Sequence, residues 1–173
     1  MEILFTTSSK NIEINKVDYF EEFVKRDNTL KRLSVDEIKN LYDQISKYLS
    51  SHHCKIKDML LKNELGFIIL WLKKRNIKKI LELNFNDYSF LDSPKHSKNN
   101  DEILYARPLG NAVHWIAGNV PVLGVISLFQ TLLTKNKSIV KVPNSFKNVL
   151  SNILSDLNSS DFFEGDIRNH LDI

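Results

Sequence analysis

A chain of 173 residues with 42% hydrophobic content is long enough to bury a substantial core, as one domain or as part of a larger one. Its 24 Lys and Arg against 21 Asp and Glu leave a net charge of +3, scattered in mixed runs such as Lys73-Lys74-Arg75, which excludes a strong nucleic-acid footprint despite a pI of about 8.9. A single cysteine, Cys54, excludes an internal disulfide and points to a reducing compartment, the cytoplasm.

Taken in chain order, the first twenty residues carry Glu2, Lys10, Glu13 and Lys16 and no apolar run long enough for a secretion signal. Residues 3–6 and 12–14 are candidate strands. Ser34-Val35-Asp36-Glu37 is a capping-box sequence, and behind it Ile38, Leu41, Tyr42, Ile45, Tyr48 and Leu49 fall at helical spacing on one face. A second helix is predicted over residues 57–75, where Met59, Leu60, Ile68, Trp71 and Leu72 form a broad apolar surface. Residues 92–101, with Ser93, Pro94 and the Asn99-Asn100 pair, read as a polar loop. It divides a mainly helical region, residues 1–100, from an α/β region, residues 101–173.

Beyond the loop, residues 111–117 form an apolar strand ended by Gly118-Asn119. Pro121 suits the first turn of a helix, where its missing N–H costs nothing, and Leu123, Ile126, Leu128, Leu132 and Leu133 continue that helix. Residues 138–142 are a buried-type strand ended by Pro143, and Phe146, Val149, Leu150, Ile153, Leu154 and Leu157 make an amphipathic helix. This β-α-β-α order predicts an α/β fold with a parallel sheet and a right-handed crossover, whose ligands bind beyond the carboxyl ends of the strands, at residues 118–121 and 142–145. Two strands are too few for a stable open sheet, so the unit is expected to be incomplete or to draw strands from the first half. Residues 108–134 carry no charge and are long enough to span a bilayer, but Gly110, Asn111, His114, Gly118, Asn119, Pro121 and Gln130 interrupt them, and no membrane span is expected.

The run Arg107-Pro108-Leu109-Gly110-Asn111-Ala112-Val113-His114-Trp115-Ile116-Ala117-Gly118-Asn119-Val120-Pro121, followed by Ser138-Ile139-Val140-Lys141-Val142-Pro143, resembles the LuxC-type acyl-CoA reductases, the fatty-acid reductases that supply aldehyde to bacterial luciferase. That family is in turn similar to the aldehyde dehydrogenase superfamily, where a Gly-containing strand enters an Asn-x-Pro turn and a second strand ends in Lys-Pro-Ser. The resemblance implies a Rossmann-type cofactor domain preceded by a helical half, and NADPH-dependent reduction of long-chain fatty acyl-CoA, or of an acyl-protein, to fatty aldehyde. It also implies acyltransferase and acyl-protein synthetase subunits as partners, and self-association.

By the same resemblance, Asn119 holds the developing oxyanion of the thioester reaction, a task for a preorganised N–H donor. Its alternative is a plain turn residue beside Gly118. Lys141 matches the strand-end lysine that binds the cofactor ribose, against the alternative of a lysine snorkelling from a sheet edge. NAD-preferring relatives place an acidic residue just after Lys-Pro-Ser, whereas here Ser145 precedes Phe146 and Lys147. No carboxylate stands there to repel a 2'-phosphate, which tilts the cofactor to NADPH and makes Ser145 and Lys147 candidates for phosphate contacts.

The family's nucleophilic cysteine and general base lie beyond the matched region. Cys54, in Ser51-His52-His53-Cys54, has no further ligands or partners at telling spacing and reads as structural, with no metal expected. His114 and Trp115 are adjacent in a strand and so face opposite sides of the sheet; a packed tryptophan with a hydrogen-bonded histidine is the expected reading, ahead of stacking or proton transfer. A non-catalytic binding or interaction module of the same fold is the rival to the reductase, and a membrane-associated protein built on residues 108–134 is a third reading.

Overall fold

The computed structural model describes residues 21, 24–25, 29–96, 102–118 and 120–159. The candidate strands at residues 3–6 and 12–14, and Asn119, lie outside the described residues.

Helix α1, Val35–Ser50, starts as its sequence dictates. The Glu37 N–H donates to Ser34 Oγ at 3.2 Å, and the Ser34 N–H donates to the Glu37 carboxylate at 2.6 Å, closing the capping box. Its apolar stripe, from Val35 through Ile38, Leu41, Tyr42 and Ile45 to Leu49, is buried.

The single helix expected over residues 57–75 is instead two short ones, α2 Lys57–Lys62 and α3 Phe67–Trp71. The chain breaks at Glu64, whose φ of 58° is left-handed, and the Leu65 N–H returns to the Leu60 carbonyl at 2.8 Å. That reversal buries Leu65 beside Leu60 and Ile68, a gain that helical periodicity alone does not reveal. Helix α4, Lys74–Phe85, was not anticipated. Its opening N–H at Lys74 donates to Asp43 of α1 at 3.1 Å, so its cap comes from a distant residue, and Ile77 and Leu81 bury its inner face.

The expected loop at residues 92–101 also needs correction, because β1, Lys95–His96, pairs antiparallel with β2, Ile103–Leu104. Both strands are exposed and only two residues long, so no hydrophobic alternation marks them.

The β-α-β-α order appears as predicted. Strands β3, Asn111–Trp115, and β4, Lys137–Lys141, are parallel, in register from Asn111 opposite Lys137 to Trp115 opposite Lys141. Helix α5, Pro121–Leu133, crosses between them with its proline in the first turn, and α6, Lys147–Ser159, follows β4. Each strand stops one or two residues earlier than its apolar run, although the Ile116 N–H still reaches the Lys141 carbonyl at 3.2 Å.

Tyr42 and Tyr48 join the halves. The Tyr42 hydroxyl donates to the Phe129 carbonyl of α5 and its ring meets Phe129 edge-on at 5.2 Å, while the Tyr48 hydroxyl donates to Asp156 of α6 at 2.7 Å. Burial pushes the Tyr42 phenol well above its ordinary pKa, so it stays a neutral donor. Gly124 lets α5 lie close on β3: a Cβ there would stand 2.5 Å from Ile116 Cδ1. Helix α5 covers the sheet face that carries His114, whereas Val113 and Trp115 on the other face are 71% and 79% exposed. Among the described residues no helix is long and apolar enough to cross a membrane.

Candidate functional site at the carboxyl ends of β3 and β4

Parallel register forces the two strands to finish side by side, and the turns that follow them touch. A Cβ on Gly118 would lie 3.5 Å from Pro143 Cβ and 3.6 Å from Ser145 Oγ, ordinary van der Waals distances, so the two turns lie side by side with room for a small side chain between them. Pro143 ends β4 and its carbonyl accepts from the Phe146 N–H at 3.0 Å; the Phe146 ring is buried and pins the start of α6. Ser145 is thereby left exposed beside Gly118, with Lys147 half-buried at the first residue of α6.

Trp115 and Lys141 end the paired segments directly opposite one another. The Lys141 ammonium stands over the Trp115 ring, 4.9 Å from its centroid, a cation–π contact on an exposed surface. His114 turns to the covered face. Its Nδ1 lies 2.8 Å from Ser127 Oγ of α5 and its Nε2 lies 3.1 Å from Ser138 Oγ of β4, and burial lowers its pKa. A neutral ring bridging two hydroxyls holds strand and helix together.

Of the candidate site residues, Lys141 is the last residue of β4, Ser145 lies in the turn that follows beside Gly118, and Lys147 is the first residue of α6. Asn119 follows Gly118 in the sequence and lies outside the described residues. The Trp115–Lys141 stack escaped the sequence reading. Its signal was available in the register, because residues ending two parallel strands of equal length stand side by side on the same face. Cys54 is buried in the turn between α1 and α2, and burial, reinforced by the Asp156 carboxylate, pushes its thiol above the ordinary range, the reverse of an activated nucleophile. Among the described residues no three His, Cys, Asp or Glu side chains gather to hold a metal.

A family model described as acyl-CoA reductase (LuxC) matches residues 22–171. The chain belongs to the LuxC acyl-CoA reductase family. The LuxC match takes in both the helical half and the strand-end turns. A long-chain acyl-protein thioester reductase of Photobacterium phosphoreum is 27% identical over 139 residues, covering 72% of this chain and 28% of the relative. Proteins of the same description from Aliivibrio fischeri and, as reductase 2, from Photobacterium leiognathi are 47% identical over 45 residues and 48% over 40. These shorter matches cover 26% and 23% of this chain and 9% and 8% of the relatives. The chain thus spans under a third of the length of these LuxC relatives, and no solved structure matches it.

Proposed function

We propose that this chain forms one wall of the nicotinamide-cofactor cleft of an NADPH-dependent reductase that converts long-chain acyl-CoA, or the corresponding acyl-protein thioester, to fatty aldehyde. The observation that carries this reading is the closure of Gly118 on Pro143 and Ser145 with Lys141 at the adjoining strand end. The region beyond the carboxyl ends of parallel strands is where α/β sheets take nucleotides, in keeping with an aldehyde dehydrogenase-like, Rossmann-type unit.

The residues present fit the cofactor. Lys141 would hold the adenosine ribose, and Ser145 and Lys147 would meet a 2'-phosphate, the residue between them being the buried Phe146. NADPH supplies the hydride when bound. Asn119 would donate its side-chain amide to the oxyanion of the reacting thioester. The nucleophilic cysteine and general base would come from sequence beyond this region. The setting is cytoplasmic, with acyltransferase and acyl-protein synthetase subunits as partners and self-association of the reductase.

A second reading, a non-catalytic cofactor-binding module of the same fold, is favoured by the buried, unactivated state of Cys54, the chain's single thiol. One experiment separates them: NADPH is titrated into the full chain, and its oxidation is then followed with saturated acyl-CoA thioesters of graded length. Binding with acyl-dependent oxidation supports the reductase. Binding without oxidation supports the module. Failure to bind NADPH contradicts both.

A further inference from the structure

Trp115 is the largest apolar side chain on the open face of the sheet, and it stands at the end of β3 rather than over the middle of the sheet. An indole left 79% exposed forgoes the burial that a tryptophan usually gains, which sets it apart from Trp71, half-buried against Phe129 with ring centroids 6.4 Å apart. A lysine ammonium can cover at most one face of an indole, so exposure this large leaves the opposite face to solvent. The position therefore combines a flat aromatic surface, a positive charge 4.9 Å from it, and the strand-end turns, where Gly118 meets Ser145, three residues further on. A planar base joined through a sugar to a phosphate matches that combination. The base can stack on the indole while Lys141 reaches the ribose or phosphate.

We propose that Trp115 is the stacking platform for a heteroaromatic ring of the bound dinucleotide, and that Lys141 holds the indole in the orientation that receives it. This rests on the cofactor-cleft reading above and adds a positioning residue to it. Lys141 thereby acts twice, on the ligand and on the aromatic surface beneath it, so that losing its charge should weaken both contacts.

The chain carries two tryptophans, Trp71 and Trp115, which makes the proposal directly readable. In the full chain carrying Trp71→Phe, Trp115 alone reports. NADPH should quench its emission and gain sensitised nicotinamide fluorescence, saturating at the same Kd as calorimetry gives. Trp115→Leu should raise the Kd for NADPH about tenfold, the order of one lost base–aromatic stack. Trp115→Tyr should restore most of the affinity, and the far-ultraviolet spectra and urea midpoints should show all variants folded. If NADPH binds the native chain and Trp115→Leu binds it equally well, or the quenching survives in Trp115→Leu and is lost in Trp71→Phe, the platform is refuted and the cleft reading stands. If NADPH binds no version of the chain, both fall together.

Discussion

Lys135 and Asp92 form the ion pair that locks the helical half to the sheet. Lys135, with only 7% of its side chain exposed and a left-handed φ of 62°, places its ammonium 2.6 Å from Asp92 Oδ1 and donates to the Leu91 carbonyl at 2.9 Å. The same carboxylate oxygen accepts the Val35 N–H at the start of α1, at 2.9 Å. One carboxylate therefore fixes three segments: the start of α1, the turn before the hairpin, and the turn that leads into β4.

Removing Asp92 takes the carboxylate away from a mostly buried ammonium and frees a helix-opening N–H. Asp92→Ala is expected to lower stability by about 2 kcal/mol, below the full cost of breaking a buried pair because Asp92 is partly exposed. The urea midpoint should fall at unchanged m, and a double-mutant cycle with Lys135→Met should show coupling between the two sites.

Gly124→Ala pits helix propensity against space. Alanine favours a helix interior by up to about 1 kcal/mol over glycine, but its Cβ would sit 2.5 Å from Ile116 Cδ1, and overpacking typically costs about 1–3 kcal/mol. A net loss of stability is expected in thermal unfolding. Adding Ile116→Ala should make Gly124→Ala neutral or stabilising relative to Ile116→Ala alone. A stabilising Gly124→Ala on the native background would show that α5 does not lie this close to β3.

His114 should impose a pH dependence. Burial depresses its pKa below the unfolded value of about 6.5, so the folded state binds fewer protons there. The stability this supplies is present above pH 6.5 and is lost as pH falls through the folded pKa. His114→Gln, which keeps polar contact with Ser127 and Ser138, should lose less stability than the native chain between pH 7.5 and pH 5. Equal losses in urea titrations at the two pH values would place the titration elsewhere.

Much of this was legible because local and global signals agree. Ser34 and Glu37 mark the start of α1, Pro121 marks that of α5, and the apolar runs of β3 and β4 mark a parallel pair. The failures have one cause: the deciding interactions are long-range. Glu64 breaks a helix to bury Leu65, Asp43 caps α4 across 31 residues, and the exposed hairpin strands exist through backbone pairing alone. At the candidate site, Lys141 and Ser145 are named by a resemblance alone, whereas the Trp115–Lys141 contact required the register of the sheet.

The strand-end turns of β3 and β4 are proposed to take a nicotinamide dinucleotide. Amide hydrogen exchange of the full chain, with and without saturating NADPH, tests it where the ligand sits. Exchange is predicted to slow at residues 115–118 and 141–147 while α1, α2 and α4 exchange at unchanged rates. Unchanged exchange at both strand ends, or protection confined to the helical half, would contradict it.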